Sequence, residues 1–211
     1  PTNEQRQSIS FNSLELKSCQ YQYPIINDEQ GFTLGPIDFT INKGELIFIV
    51  GGNGSGKSTL AKILTGLYLP TNGSILLNNE IISEKNSDSL RSCFSAIFPD
   101  YFLFNDVVDE QGSDIDDSRV EYYLTRLAIN NKVSVSNGKL STTSLSQGQK
   151  KRLALMLVYM ENRQVLLLDE WAADQDPTFR EVFYREILPE LTQAGKTIIA
   201  ISHDDHYFDV A

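Results

Sequence analysis

The segment Gly51-Gly52-Asn53-Gly54-Ser55-Gly56-Lys57-Ser58-Thr59 limits what this chain can become more than any other stretch. Glycine, four residues, then Gly-Lys-Ser is the pattern of a loop that wraps phosphate. Its flanks are the kind that loop needs. Leu46-Ile47-Phe48-Ile49-Val50 is a short apolar run with β-branched residues, which predicts a buried strand. Leu60 to Leu67 carries Ala61, Lys62, Ile63 and Leu64, which predicts a helix that stops near Gly66. Glycines let several backbone N–H groups point at one anion. The helix start adds unpaired donors and the positive end of its dipole. Lys57 supplies a full charge toward the β- and γ-phosphates, and Ser58 a hydroxyl for the magnesium ion that accompanies them. The competing explanation, a glycine-rich turn with no ligand, is disfavoured by the strand and helix on either side.

At 211 residues the chain is long enough for one large domain with its own core. The net charge of −10 argues against a nucleic-acid partner, because phosphate backbones are held by clustered Lys and Arg. Cys19 and Cys93 are far apart and form no ligand pattern, so they read as core or surface thiols of a reducing compartment. No apolar stretch reaches the ~20 residues of a membrane helix, and no signal peptide is visible. A chain that starts at Pro1 reads as a piece excised from something longer.

The remaining punctuation is equally regular. Ile9 to Leu16, Cys19 to Tyr23 and Phe32 to Ile41 predict an antiparallel sheet ahead of the phosphate loop. Tyr21 or Tyr23 is placed to stack on a nucleotide base, although a half-buried strand tyrosine is the commoner fate. Ile75 to Leu77 and Ile81-Ile82 resume strands. A helix starts at Ser87 or Asp88 and runs into the apolar Ala96-Ile97-Phe98, where Pro99-Asp100 breaks it. The acidic stretch 105–118 lacks the spacing of a calcium loop and reads as a solvated loop. Arg119 to Ile129 predicts an amphipathic helix, and Asn130 to Ser144 is polar and irregular. Leu145-Ser146-Gln147-Gly148-Gln149 opens another helix, a second potential anion site.

Gln164-Val165-Leu166-Leu167-Leu168-Asp169-Glu170 is a buried strand tipped by two acids. Beside a phosphate cradle, Asp169 is the expected magnesium partner, and Glu170 is placed to orient or deprotonate water. Asp176-Pro177 starts a helix through Phe183 and Leu188. Lys196 to Ile201 is a further buried strand ending in Ser202-His203-Asp204-Asp205-His206. With no other His and no nearby Cys, His203 and His206 do not make a zinc site; His203 at a strand tip facing the γ-phosphate is the better reading. Strands alternating with helices predict a mostly parallel α/β sheet, with ligands at the carboxyl ends of its strands. Lys57, Asp169, Glu170 and His203 all fall just past such ends.

These motifs together resemble the nucleotide-binding domain of ATP-binding cassette (ABC) transporters over nearly the whole chain. Gly51 to Ser58 is similar to the Walker A loop, Leu145 to Gln149 to the LSxGQ signature, and Leu166 to Glu170 to Walker B with its glutamate. Ala173 to Asp176 takes the D-loop position, His203 that of the switch histidine, and Tyr23 that of the adenine-stacking aromatic. The resemblance implies a P-loop NTPase of α/β class with a mostly parallel core sheet, an N-terminal antiparallel β-subdomain and an inserted helical subdomain. That gives a single domain over 1–211, with core 1–84 and 160–211 and a helical part at about 85–159.

The same resemblance implies a mechanism. Two domains pair head to tail, ATP and Mg2+ on one loop are capped by Ser146 and Gly148 of the other, Gln149 completes the signature, and Glu170 positions water. Hydrolysis then drives a transmembrane domain, fused upstream in one polypeptide, at the cytoplasmic face of a bacterial inner membrane. The wording around Asp169 to Pro177 and Ile201 to Phe208 resembles the cyclic-peptide and siderophore exporters of the pyoverdine and syringomycin type, which implies a peptide-like cargo. Three positions depart from the pattern. Pro99 stands where the family has a magnesium-contacting Gln, leaving Asp100 or water as the substitute ligand. Trp171 replaces the usual proline, and the chain ends at Ala211, earlier than such domains do, so terminal strands are expected to be missing. Two rivals stay open: a soluble ABC ATPase acting on DNA or ribosomes, against which the acidic balance speaks, and a nucleotide-gated module with little hydrolysis, which Pro99 would favour.

Overall fold

A computed structural model describes residues 9–24, 31–107 and 116–211. Its centre is a four-stranded, wholly parallel sheet in the order β3-β10-β9-β6, formed by Leu46–Ile49 (β3), Phe94–Ile97 (β6), Val165–Asp169 (β9) and Thr197–Ile201 (β10). Strands buried on both faces need apolar residues at every position, and β9 and β10 are buried throughout. Alternation sends Val165, Leu167, Ile199 and Ile201 into one core and Leu166, Leu168 and Ile198 into the other.

The first core lies under helix α1 (Lys57–Leu64), helix α2 (Ser87–Cys93) and an antiparallel sheet. That sheet has the order β2-β1-β4-β5, built from Ser13–Gln22 (β1), Thr33–Asn42 (β2), Asn72–Leu77 (β4) and Glu80–Ile81 (β5). The second core is closed by helices α3 (Asp117–Arg126), α4 (Gln147–Glu161), α5 (Pro177–Val182) and α6 (Leu188–Gln193). Among the described residues no helix is long and apolar enough to cross a membrane.

Several sequence boundaries shift. The two N-terminal strands are one, β1, which stays continuous because it is paired on both sides and absorbs Ser18, at φ 45°, as a register irregularity. The apolar tail expected to continue the helix after Ser87 is a separate strand, β6, pulled into the sheet beside β9. Helix α1 starts at Lys57, inside the phosphate loop, and α3 starts early because Asp116 accepts from the Ser118 N–H. The stretch read as irregular contains a hairpin of Val135–Ser136 (β7) and Lys139–Leu140 (β8), turned by Asn137 and Gly138 at φ 50° and 70°. The helix from Pro177 passes through a π-turn at Phe183–Ile187 before it continues as α6. Of the acidic loop, residues 108–115 lie outside the described residues.

Register decides what the sheet presents. Ile49, Ile201 and Asp169 lie level across β3, β10 and β9, and Ile97 lies beside Leu168. The residues that follow each strand therefore leave the sheet along one edge.

Candidate functional site

The first feature on that edge is the loop 51–56. Gly52, Asn53, Gly54 and Ser55 are exposed, while Gly51 and Gly56 are half-buried. Gly56 caps α1 at φ 97° with no side-chain cap, a backbone region that side chains rarely adopt. A Cβ there would also meet Leu34 Cδ1 at 2.6 Å and Phe32 Cζ at 3.1 Å. Lys57 folds back over the loop, its Nζ donating to the carbonyls of Gly51 at 2.8 Å and Gly52 at 3.1 Å. The uncapped start of α1 leaves its first N–H groups without side-chain acceptors, which suits an anion.

Asp169 ends β9 beneath this loop and is 2% exposed. The Ser58 hydroxyl lies close enough to its carboxylate to favour the charged form, yet its Oδ2 is buried without a partner among the described residues. Burial first, then the charge of Glu170, raises its pKa above the ordinary carboxylate value; Ser58, Lys57 and Lys151 pull it the other way. A buried oxygen that lacks a donor and shares its place with a serine hydroxyl has the character of a hard-cation ligand. Asp100 sits in the turn after β6, exposed, and makes no hydrogen bond or ion pair among the described residues.

Glu170 takes a left-handed conformation, φ 50° and ψ 35°. Its N–H donates to the Ile201 carbonyl at 3.0 Å, and its own carbonyl accepts from Lys151 Nζ at 2.7 Å. Its carboxylate Oε1 stands 3.4 Å from His203 Nε2. The exit of β10 is fixed by a buried chain. Tyr184 Oη lies 2.7 Å from Ser202 Oγ and donates to Asp204 Oδ2 at 3.0 Å, and Arg180 pairs with Asp204. His203 is thus held between two anchored neighbours. His206 points into solvent, with its side chain 93% exposed.

Ser146 is the N-cap of α4 in a closed capping box: its side chain accepts from the Gln149 N–H, and Gln149 Oε1 accepts from the Ser146 N–H. Ser146 is exposed. Gly148 lies against the segment Trp171–Asp174, where a Cβ would come within 2.6 Å of the Asp174 carbonyl. Gln175 bridges the two, donating from Nε2 to the Gly148 carbonyl and accepting from Arg152 Nε.

Tyr23 leaves β1 beside α1, its hydroxyl 3.2 Å from Thr59 Oγ1. Its ring meets Tyr21 and Tyr68 edge-on, and those two stack at 4.7 Å. Phe32, 44% exposed, rests against Gly56 and was not singled out from sequence. Nor were Lys151, Arg152, Gln175 or Tyr184; only Phe32, an aromatic beside a glycine and near Tyr23 in the chain, carried a local signal.

A parallel sheet with a glycine loop and helix at one strand tip, a buried acid at another two strands away, and an antiparallel sheet alongside defines a P-loop ATPase cassette. Within that class the chain belongs to the ABC transporter family, whose family model matches residues 34–173. It is 48% identical over 205 residues to the ATP-binding protein SyrD of Pseudomonas syringae pv. syringae, a match covering 96% of this chain and 36% of that protein. A bacterial Atm1-family ABC exporter with ATP bound superposes with a TM-score of 0.75 at 25% identity, over 94% of this chain and 36% of that one. The dimeric bacterial ABC transporter cassette MJ0796 superposes with a TM-score of 0.75 at 20% identity, over 94% of this chain and 91% of that one, a likeness of fold. The chain spans well under half the length of SyrD and of the exporter.

Proposed function

We propose that this chain binds ATP with Mg2+ and hydrolyses it to power export of a peptide or siderophore-like molecule through a transmembrane domain at the cytoplasmic face of a bacterial inner membrane. The observation that carries the hydrolytic part is the convergence of Lys57, Asp169, Glu170 and His203 on one sheet edge, with His203 Nε2 3.4 Å from Glu170 Oε1. In this reading the N–H groups of Gly51 to Thr59 and the Lys57 ammonium bind the phosphates. Tyr23 receives the base, and Ser58 and Asp169 would hold the metal, with Asp100 as a further carboxylate on the same edge. Magnesium, when bound, neutralises phosphate charge as it develops. Glu170 accepts the proton of the attacking water, and His203 orients that carboxylate.

The exporter assignment rests on SyrD and on the Atm1-family exporter. A second cassette, docked head to tail, would bring its Ser146, Gly148 and Gln149 to the phosphates; MJ0796 is a dimeric example of the fold. The organisation we favour is one cassette over 1–211, with core 1–84 and 160–211 around a largely helical insertion at about 85–159 through which β6 returns to the sheet. A groove of about 270 Å³ along β6 and α4 reaches Phe102, which is 76% exposed and in edge contact with Phe104, itself 67% exposed. An exposed aromatic pair beside a groove is a protein-docking feature, suited to the membrane portion.

Glu170→Gln is the decisive variant. Phosphate release should fall by about 10²–10⁴-fold, the range for loss of a general base, while ATP binding survives and an ATP-bound dimer accumulates on size exclusion. Ordinary turnover in the variant refutes the assignment.

A further inference from the structure

Lys151 is among the buried charged side chains of this molecule, with its residue 6% exposed. A charge that deep needs a partner and saturated hydrogen bonds. It has the partner and uses two of its three donors: Nζ pairs with Asp174 Oδ2 at 2.7 Å and donates to the Glu170 carbonyl at 2.7 Å. Glu170 is the residue that most needs such a restraint. It is a non-glycine residue in the left-handed region, which persists only where surroundings over-determine it. The Glu170 N–H is held by the Ile201 carbonyl at 3.0 Å, and its own carbonyl by two donors, Lys151 Nζ at 2.7 Å and the Ala173 N–H at 3.3 Å. Lys151 is the shorter, charged one; without it the carbonyl keeps only the long local bond to Ala173, and the carboxylate is less firmly aimed at His203.

Lys151 also sits on α4, little more than one turn beyond Ser146 and just under one turn beyond Gly148. The indole N–H of Trp171 donates to the Lys151 carbonyl at 2.8 Å, so both ends of this residue are tied to the turn that follows β9. The helix whose start faces outward and the turn that carries Glu170 are joined through one side chain and one backbone carbonyl.

We infer that Lys151 is a positioning residue for hydrolysis: its ammonium group, seated between the Glu170 carbonyl and Asp174, sets the direction of the Glu170 carboxylate and ties it to the start of α4. This rests on Glu170 being the group that activates water. The effect is on turnover and not on affinity for metal-free ATP: no atom of Lys151 belongs to the phosphate loop, while its charge also acts on Asp169, the proposed metal ligand.

The test uses the full-length protein with Lys151→Met, which keeps the stem and removes the charge, alongside Glu170→Gln. Affinity for metal-free ATP is titrated and phosphate release measured on each. Lys151→Met should lose about ten- to a hundredfold in kcat, the cost of misplacing a reacting group by an ångström, with ATP affinity within about twofold of wild type. Wild-type turnover overturns the inference, and so does a parallel fall of affinity and turnover, which marks a merely structural role. Should Lys151→Met not fold, Asp174→Asn takes its place: it removes the counter-charge, and turnover should fall about threefold or more at unchanged affinity, with unchanged turnover overturning the inference. Should Glu170→Gln hydrolyse normally, the role of Glu170 fails first.

Discussion

Two helices of this molecule start from glycine-bearing loops, and they start differently. Helix α1 begins at Gly56 in a left-handed conformation with no side-chain cap. Helix α4 begins at Ser146 with a capping box that satisfies one donor at each side. Both starts carry the positive end of a helix dipole, so electrostatics alone does not separate them. Donor accounting does. The first start has its N–H groups open to an external anion, and Lys57 poised on the carbonyls of Gly51 and Gly52. The second has used Ser146 Oγ as an acceptor, which leaves the hydroxyl proton facing outward as a single donor, with the Gly148 N–H beside it. On the proposed function, the first loop can enclose phosphate unaided, and the second can only add to a phosphate already held elsewhere.

The contrast is easiest to break at the first loop. Lys57→Ala removes the only side-chain charge of that loop, and ATP affinity should drop by about ten- to a hundredfold, roughly 1.5–3 kcal/mol for a charge-assisted contact. Calorimetry on the purified protein checks this, and unchanged affinity would erase the distinction between the two starts. Ser146→Asp sharpens the other half. Aspartate caps as well as serine, so the thermal midpoint should hold, while a negative charge replaces the hydroxyl donor and turnover falls about tenfold, the ~1.4 kcal/mol of one lost hydrogen bond. A variant that melts early but hydrolyses normally would make the signature loop a structural cap only. The smallest effect belongs to Tyr23→Phe. It deletes the bond to Thr59 while keeping the ring, and should cost about 0.5–1.5 kcal/mol, seen as a few-fold weaker ATP affinity. A loss as large as that of Lys57→Ala would make the hydroxyl part of the grip and not a brace.

The site was legible in the sequence wherever a strand tip carried it. Val165 to Leu168 and Ile198 to Ile201 are unbroken apolar runs, and such runs in a parallel sheet deliver the next residue to one edge whatever the rest of the chain does. The capping pattern at Ser146 and Gln149 was equally local. What the sequence hid is what depends on neighbours distant in the chain. Phe94 to Ile97 follows a helix directly, and only pairing with Val165 to Leu168 makes it a strand. Lys151 looks like one more lysine after Lys150; nothing nearby says that one is buried beneath Glu170. The β7–β8 hairpin is a different kind of miss, since Asn137-Gly138 is a recognised turn signal that a polar setting masked.

Trp171, the one tryptophan of the chain, closes the molecule's second core at 1% exposure, its ring stacked 4.2 Å from Phe183 and its N–H on Lys151. A single chromophore thus stands at the joint between α4 and the turn that carries Glu170. Its emission is a label-free gauge of that joint: when α4 shifts against the end of β9, the indole loses its hydrogen bond or its stacking partner, and the colour and intensity of its fluorescence report the movement in real time.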